Sequence, residues 1–499
     1  MRYIIAQKNK KDSIVEKLVS LCKRKGFIFQ SSEIYGGLNG CYDYGPLGVE
    51  LLNNIKQSWW QFMTYREDVE GLDASILMHP KVWEASGHVE NFTDPMIDCK
   101  QCKARFRVDT LGESYNEKRK KKLIISLKEK LSAIPEKMEK YNMLISEEND
   151  LNDNFELLLE SEFAFELLSE AACPQCGTKN SFTEPKNFNL MFKTFLGPVE
   201  DSGNTIFLRP ETAQGIFVNF LNVQQATRQK LPFGIAQIGK AFRNEINTKN
   251  FLFRTREFEQ MEMQYFVKPG EDQTAYDKWK ELRKSWYISL GMPEDKLRFK
   301  DHPEDKLAHY AKAAVDIEYL FPFGWGEIEG IHNRTDFDLK RHEEFSGKSM
   351  KYFDDEAKEK FVPFIIETSA GASRGFFAFL TNAYNEEEVN GETRVVMKFH
   401  PQLAPIKVAI FPLVNKDGMP EIAREIENDL RPFMKVFYDS KGAVGRRYRR
   451  MDEVGTPFCI TVDTQTLEDK TVTVRERDSM EQERVKIEDL LHYLLKKLK

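Results

Sequence analysis

Long apolar runs are missing from this 499-residue chain. No uninterrupted apolar stretch approaches the roughly 18 to 20 residues that span a bilayer, so no transmembrane helix is expected. Cysteine is scarce and odd in number, at 7, which argues against a secreted disulfide framework. Internal repeats are absent too. Nor is there an excess of positive charge: 73 Lys and Arg against 79 Asp and Glu leave a net charge of -6. That balance disfavours a nonspecific nucleic-acid coat, but it leaves room for a local basic face. The opening residues Met1–Lys8 have no long apolar core and no small-residue cleavage site, so no secretion signal is expected. The chain reads as cytoplasmic, with no membrane partner.

What is present is ample core material. Hydrophobic residues make up 41% and phenylalanine alone numbers 37, which rules out disorder as the dominant state. The length suggests two to four domains. Ser13 to Lys25 reads as an amphipathic helix. The glycine-rich stretch Tyr35–Gly48 reads as irregular, and Val49–Phe62 behind it as a helix. Residues 113–172 change character: they open on Lys118–Lys122 and continue in Leu, Glu and Lys, which reads as helical hairpins with one solvated face. Short Phe-, Ile- and Val-rich strands with few long helices fill 180–400, the pattern of an antiparallel sheet with flanking helices. After the prolines of Phe399–Pro405, a strand at Ile406–Phe411 and a helix at Met419–Phe433 open a compact α/β unit. The expected class is α+β. Its parts are a main domain split between 1–98 and 180–400, an insertion at 99–179, and a C-terminal domain at 401–499.

Two C-x-x-C pairs, Cys99/Cys102 and Cys173/Cys176, flank the helical insertion. Such knuckles can wrap one tetrahedral zinc, and free thiols or a redox pair are the alternatives. Cys22, Cys41 and Cys459 read as buried apolar residues.

The most informative stretch is Ala241–Glu245, a turn region, then Phe253–Phe266. Strand alternation places Arg243 and Glu245 on one face, and Phe258, Gln260 and Glu262 together on the next strand. A hairpin so built presents arginine forks suited to phosphate oxygens beside a ring suited to stacking on a base. An ordinary surface hairpin with salt bridges is the alternative.

These residues resemble motif 2 of class II aminoacyl-tRNA synthetases, in the form found in glycyl-tRNA synthetases. Gly45–Gly48 resembles the motif 1 region, and Arg209–Gly215 (Arg-Pro-Glu-Thr-Ala-Gln-Gly) the family's amino-acid loop. Gly324–Arg334 also matches, and Glu367–Arg374 resembles motif 3. Motif 3 reads as a strand with Glu367 and Ser369 on one face, turning at Gly371 into an apolar helix. Arg374 then falls in a helix first turn, where a cation is disfavoured, which suggests an anionic partner: a phosphate, or a nearby carboxylate.

The resemblance implies glycine–tRNA ligation using ATP with magnesium, by a homodimer acting on tRNA(Gly). The implied catalytic pair is Arg243, at the α-phosphate, and Arg374. Arg254 and Arg374 would hold the outer phosphates, Glu245 the adenine amino group and Phe258 the adenine face. The implied ATP set also takes in Asn244, Phe253, Thr255, Arg256 and Glu257. Ile328 and the turn residues Gly371, Ala372 and Ser373 complete it. Glu327 would ligate the magnesium. For glycine, the resemblance implies Glu211, Glu262 and Glu367 with Ser369 around the ammonium, and Arg334 either balancing the acids or meeting the carboxylate. Phe258, Glu259, Gln260 and Met261 on one strand, and Thr368, Ala370 and Gly371 on another, belong to the same implied set, as does Arg105 beside the first knuckle. In the C-terminal domain, which resembles an anticodon-binding domain, Arg446, Arg447, Arg449 and Arg450 would follow tRNA phosphates, or some would pair with Asp452, Glu453 and other acids. Two rival readings are a class II synthetase for another amino acid, such as threonine or proline, and a nonenzymatic relative that binds nucleic acid.

Overall fold

The computed structural model describes residues 5–145, 150–198, 200, 202–246, 248, 250–303, 307–308 and 310–498. Met1–Ile4, part of the stretch read as lacking a secretion signal, lie outside the described residues. The chain divides into two compact units. The larger takes Met1–Ser86, Leu208–Phe242 and Thr248–Lys499, and the smaller Gly87–Phe207 with Arg243–Asn247.

The larger unit is built on a seven-stranded sheet. Its strands are β1 (Val69–Gly71), β2 (Phe233–Phe242), β3 (Glu257–Val267), β4 (Leu297–Asp301), β5 (Ala313–Phe321), β6 (Gly324–Thr335) and β7 (Phe364–Gly371). They lie in the order β4-β5-β6-β7-β3-β2-β1. All pairs are antiparallel except β1 with β2. This is the antiparallel sheet expected from the strand pattern. Three helices supply the main core against its central strands: α1 (Pro46–Thr64), α2 (Asp272–Ser289) and α3 (Ala372–Ala383). α1 begins with proline at its first position, where the missing N–H costs nothing. Its Leu51, Ile55 and Trp59 join Trp279, Phe376 and Phe377 over Met261, Met263 and Tyr265 of β3. Full burial of each such side chain contributes about 1.5–3 kcal/mol.

Local differences from the sequence reading have physical causes. Helices of 15 and 18 residues, Ala213–Thr227 and Asp272–Ser289, interrupt a region read as mainly strands. Their aromatic and polar composition hid the helical period. Arg243–Glu245 follow β2 but are not strand, so alternation does not set their faces. The first helix is longer than Ser13–Lys25, running from Ile5 to Lys25. Cys22 and Cys459 are buried as expected, but Cys41 is only half-buried.

A bulge in β6 separates two glutamates of one motif. The register with β5 slips between Ile317 and Glu318, so that Glu318 faces Glu327 while Ile317 faces Glu329. Glu329 is thereby sunk among the helices, its oxygens 2.6 and 3.1 Å from Arg283 of α2, with both side chains fully buried. Arg283 also lies 4.6 Å over the Trp286 ring.

The C-terminal part forms a five-stranded mixed sheet whose first three strands, Val436–Tyr438, Val408–Pro412 and Phe458–Val462, run parallel. A buried ion network ties it to the hairpin Tyr384–Val389/Glu392–Met397. Asp452 accepts from Arg394 at 2.9 Å and from Arg475 at 2.9 Å.

In the smaller unit, helices Glu117–Leu131, Pro135–Leu144 and Leu151–Glu160 pack Leu123, Leu127, Phe155 and Leu158 into their own core. The lysine run is mostly a solvated face, but Lys120 turns inward, donating to Asn152 Oδ1 at 2.7 Å. Residues 146–149, inside the segment read as hairpins, lie outside the described residues.

Removing one member of the Arg283–Glu329 pair leaves an uncompensated buried charge. Arg283→Ala is expected to lower the unfolding free energy by about 3–5 kcal/mol, measured by urea denaturation. Arg283→Ala with Glu329→Leu should recover much of that loss.

Candidate active site

The site grows from alternation along β3. Met261, Met263 and Tyr265 turn into the main core, which leaves Gln260, Glu262 and Gln264 on the opposite face. Strand register then assembles their neighbours. Glu262 lies opposite Ser369 of β7 and Gln237 of β2, Gln264 opposite Glu367, and His332 of β6 opposite Glu367. Four strands thus bring their polar side chains to one patch.

Two glutamates at its centre are pushed in opposite directions. Glu262 is 2% exposed. Its Oε1 accepts from Ser369 Oγ at 2.6 Å and from Gln260 Nε2 at 3.0 Å, and its Oε2 accepts from the Thr212 hydroxyl. Burial, then the charges of Glu367 and Glu211, push its carboxyl up to about 8. Glu367 is buried as well, and its Oε1 accepts from Gln264 Nε2 at 2.9 Å. Its Oε2 lies 3.1 Å from Arg334 Nη1 and 2.9 Å from His332 Nδ1. Burial acts upward here too, but Arg334 and then His332 outweigh it and hold the Glu367 carboxyl down at about 2. Asp338 fixes Arg334 with contacts of 2.8 and 3.0 Å, and Tyr310 carries the guanidinium 3.9 Å over its ring. Arg334 therefore pairs with two of the acids, Asp338 and Glu367.

Glu211 accepts from Gln214 Nε2 at 3.0 Å, and His342 Nε2 lies 2.8 Å from Gln214 Oε1. Among the described residues, the buried amide atoms Gln237 Nε2, Gln260 Oε1 and Gln264 Oε1 have no hydrogen-bond partner. Three such atoms on one face suit a polar ligand. The space is also tightly defined: a Cβ on Gly239 would stand 2.2 Å from Arg209 Nη2, and one on Gly330 2.8 Å from His332 Cε1.

Beside this patch, Arg374 enters the first turn of α3. It donates to the Phe253 carbonyl at 2.9 Å, lies 3.0 Å from Glu327 Oε2 and stands 4.6 Å over the Phe253 ring. Its carboxylate neighbour here is Glu327. Arg254 and Phe258, both half-buried, follow in the same segment. In the smaller unit, the Arg243 guanidinium lies 5.4 Å over the Phe92 ring, the Asn244 N–H donates to the Leu190 carbonyl at 2.7 Å, and Glu245 is buried.

Several residues of the implied sets are placed elsewhere, mostly because alternate positions of a strand face opposite ways. Met261, Ile328, Ala370 and Ala372 are core residues, and Thr368 is buried between neighbours that face the patch. Glu259 contacts Lys56 at 3.1 Å and Glu257 contacts Lys240 at 2.9 Å. Thr255 donates to the Glu257 carbonyl at 3.1 Å, Arg256 to the Asn39 carbonyl at 2.5 Å, and Ser373 accepts from the Tyr44 hydroxyl at 3.0 Å. Gly371 caps α3. Arg105 is exposed in the smaller unit and bidentate to Asp98 at 2.7 and 3.1 Å.

Thr212, Gln264, His332 and Asp338 are among the participants the sequence reading assigned no role. Extending the Gln260–Glu262 alternation by two reaches Gln264, and Asp338 lies four residues after Arg334. Those two signals were available; the contacts of Thr212 and His332 depend on loop position and cross-strand register.

The four knuckle cysteines converge. Their Sγ atoms all lie within 4.8 Å of one another, with Cys99–Cys176 and Cys102–Cys173 each at 3.7 Å. Tetrahedral zinc with bonds of about 2.3 Å needs sulfur separations of about 3.8 Å. The donor set can hold such a metal.

The basic segment of the C-terminal part forms the helix Val444–Asp452. Arg446 and Arg450 are exposed and Arg449 is half-buried. Arg447 is not a surface residue: it is 2% exposed and donates to the carbonyls of Pro412, Leu413 and Asp439. It locks the domain and is unavailable to tRNA phosphates. Arg450 pairs with Asp439, whereas Asp452 is taken by Arg394 and Arg475 and Glu453 by Lys25.

Comparison with known proteins assigns these parts to a class. Residues 194–383 match the class II core domain of tRNA synthetases (G, H, P, S and T), and residues 407–497 an anticodon binding domain. Residues 94–190 match the glycyl-tRNA synthetase insertion domain 1. The chain is 52% identical to a glycine–tRNA ligase of Treponema denticola, over 97% of each protein. It is 50% identical to one of Alkaliphilus oremlandii, over 98% of this chain and 99% of that one. With Geobacillus kaustophilus the figures are 51%, 97% and 99%. The fold is thus that of a class II aminoacyl-tRNA synthetase. Within that class, the chain belongs to the glycine–tRNA ligase family.

Protein purified without added metal is expected to carry one zinc per chain by elemental analysis, and Cys102→Ser to lose it. Zinc-free wild-type protein with full secondary structure would contradict this assignment.

Proposed function

We propose that the chain activates glycine with ATP, giving glycyl-adenylate and pyrophosphate, and then transfers the glycyl group to the 3′-terminal ribose of tRNA(Gly). The observation that carries this reading is the patch of buried Glu262 and Glu367 with half-buried Glu211 and Ser369, which is rich in carboxylates. Glycine has no side chain to grip, so a pocket can only hold its ammonium and refuse anything larger on the α-carbon. Acids with few cations do the first, and close-packed walls do the second.

In the activation step the glycine carboxylate attacks the α-phosphorus in line, and pyrophosphate leaves. No covalent enzyme intermediate is required, so positioning and charge stabilisation carry the catalysis. Arg243, one residue beyond β2, meets the α-phosphate where charge develops. Arg254 and Arg374 hold the outer phosphates, Glu245 the adenine amino group and Phe258 the adenine face. The Phe253 ring and carbonyl keep Arg374 oriented, with its charge already beside Glu327.

Magnesium is the metal this class of reaction implies, and the half-exposed Glu327 offers it the hard carboxylate oxygens it prefers. Bound there, it would neutralise phosphate charge. Zinc on the four cysteines serves the insertion structurally. The exposed Arg446 and Arg450, with Arg449, track the tRNA backbone. The enzyme works as a cytoplasmic homodimer.

The test is glycine-dependent ATP–pyrophosphate exchange. Wild-type protein is expected to support it, and Arg243→Ala to reduce it by at least about 100-fold, the cost of one lost donor to developing charge. Near-normal exchange in that variant would reject the role of Arg243.

A further inference from the structure

We propose that glycine enters this pocket by exchange: Glu262 holds a proton until the substrate ammonium takes its place, and the proton leaves to solvent as glycine binds. The inference rests on the reading of this patch as the glycine site.

The argument starts from what touches Glu262. All its hydrogen-bond donors are neutral: the hydroxyls of Thr212 and Ser369 and the amide of Gln260. Among the described residues, the nearby cations are engaged with other groups. Arg334 is held bidentate by Asp338 and reaches Glu367 with its remaining nitrogen. Arg209, from the loop that carries Glu211, is within electrostatic reach of Glu262 and Asp73, but its guanidinium donates to the carbonyls of Lys240 at 2.6 Å and Ala74 at 2.7 Å. His332 stands against Glu367, and His342 against Gln214.

Arg334 is thus bound directly to Asp338 and Glu367, whereas Glu262, among the described residues, is held by neutral donors. A fully buried carboxylate without a cation is costly to ionise and takes a proton instead. Of the two central acids, Glu367 has Arg334 and stays ionised, so the proton falls to Glu262. The shifts run the same way, Glu262 up to about 8 and Glu367 down to about 2. The short contact between Glu262 Oε2 and the Thr212 hydroxyl gives a protonated carboxyl an acceptor within reach.

An arriving ammonium supplies the missing cation. It favours ionised Glu262, and the proton passes to buffer, so one positive charge replaces another. The sign of the pH effect follows. Below about 8 Glu262 must give up its proton before glycine can bind well, so affinity rises with pH. The rise is about tenfold between pH 6 and 7, and it levels off above 8. A substrate analogue without a cation, such as glycolate, cannot displace the proton.

Calorimetry of glycine binding to the intact protein at pH 7, in phosphate and in imidazole buffers, measures the transfer. The dependence of heat on buffer ionisation enthalpy is expected to show close to one proton released per glycine. Glu262→Gln keeps a hydrogen-bonding side chain of the same size, and should bind glycine with little proton release and an affinity nearly flat between pH 6 and 7.5. Glycine binding to the wild type with buffer-independent heat would overturn the proposal while leaving the site reading intact. Undiminished proton release in Glu262→Gln would overturn the assignment to Glu262. No glycine binding at any pH, in protein that still binds ATP, would overturn the site reading itself.

Discussion

Buried carboxylates that are not all bound directly by a cation among the described residues are the constraint on which this site depends. Ionised acids cannot be taken out of water without a compensating charge, and Arg334 compensates only Asp338 and Glu367 directly. The remaining demand for a cation suits the pocket to an ammonium group, the ligand proposed for it. The same arrangement limits how the site could change: removing Arg334 would strand Glu367, and adding a second cation would satisfy Glu262 without substrate.

The sheet makes the arrangement possible at tolerable cost. Each of β3, β6 and β7 gives one face to the aromatic core beneath and the other to polar groups, so the strands that bury Met261, Met263 and Ile366 also hold Glu262 and Glu367. Because the polar side chains stand on hydrogen-bonded neighbours, their spacing is set by register and not by loop conformation. The β6 bulge extends this logic. It sends Glu329 into a buried pair with Arg283 and leaves Glu327 beside Arg374, so one short acidic motif serves both the core and the more exposed pair beside the patch.

Much of this was legible in the sequence, for identifiable reasons. Alternation alone put Gln260 and Glu262 on one face, and Glu367 with Ser369 on another strand, and the two C-x-x-C pairs pointed to one metal site. The motif resemblance supplied the order of the parts, and with it the class of enzyme. What alternation also implied, and a span of consecutive residues obscured, is that Met261, Thr368 and Ala370 must face away from the ligand. Other features were hidden because they are not local. Arg447 sits among five basic residues in ten and looks like its neighbours, yet its reach to the Pro412 carbonyl sinks it in the domain. The alternation expected of Arg243 and Glu245 ended with the strand at Phe242. The partners of Thr212 and His332 depend on strand register that no linear pattern reveals. The net charge of -6 was likewise an average over an acidic pocket and basic faces, and a poor guide to either.

The central claim is that this pocket recognises an ammonium group and admits no side chain. Amino-acid-dependent ATP–pyrophosphate exchange measured in parallel with glycine, alanine, serine, threonine and proline tests it most directly. The account predicts exchange with glycine and little with the other four. Exchange with alanine or serine at a rate comparable to glycine would contradict it.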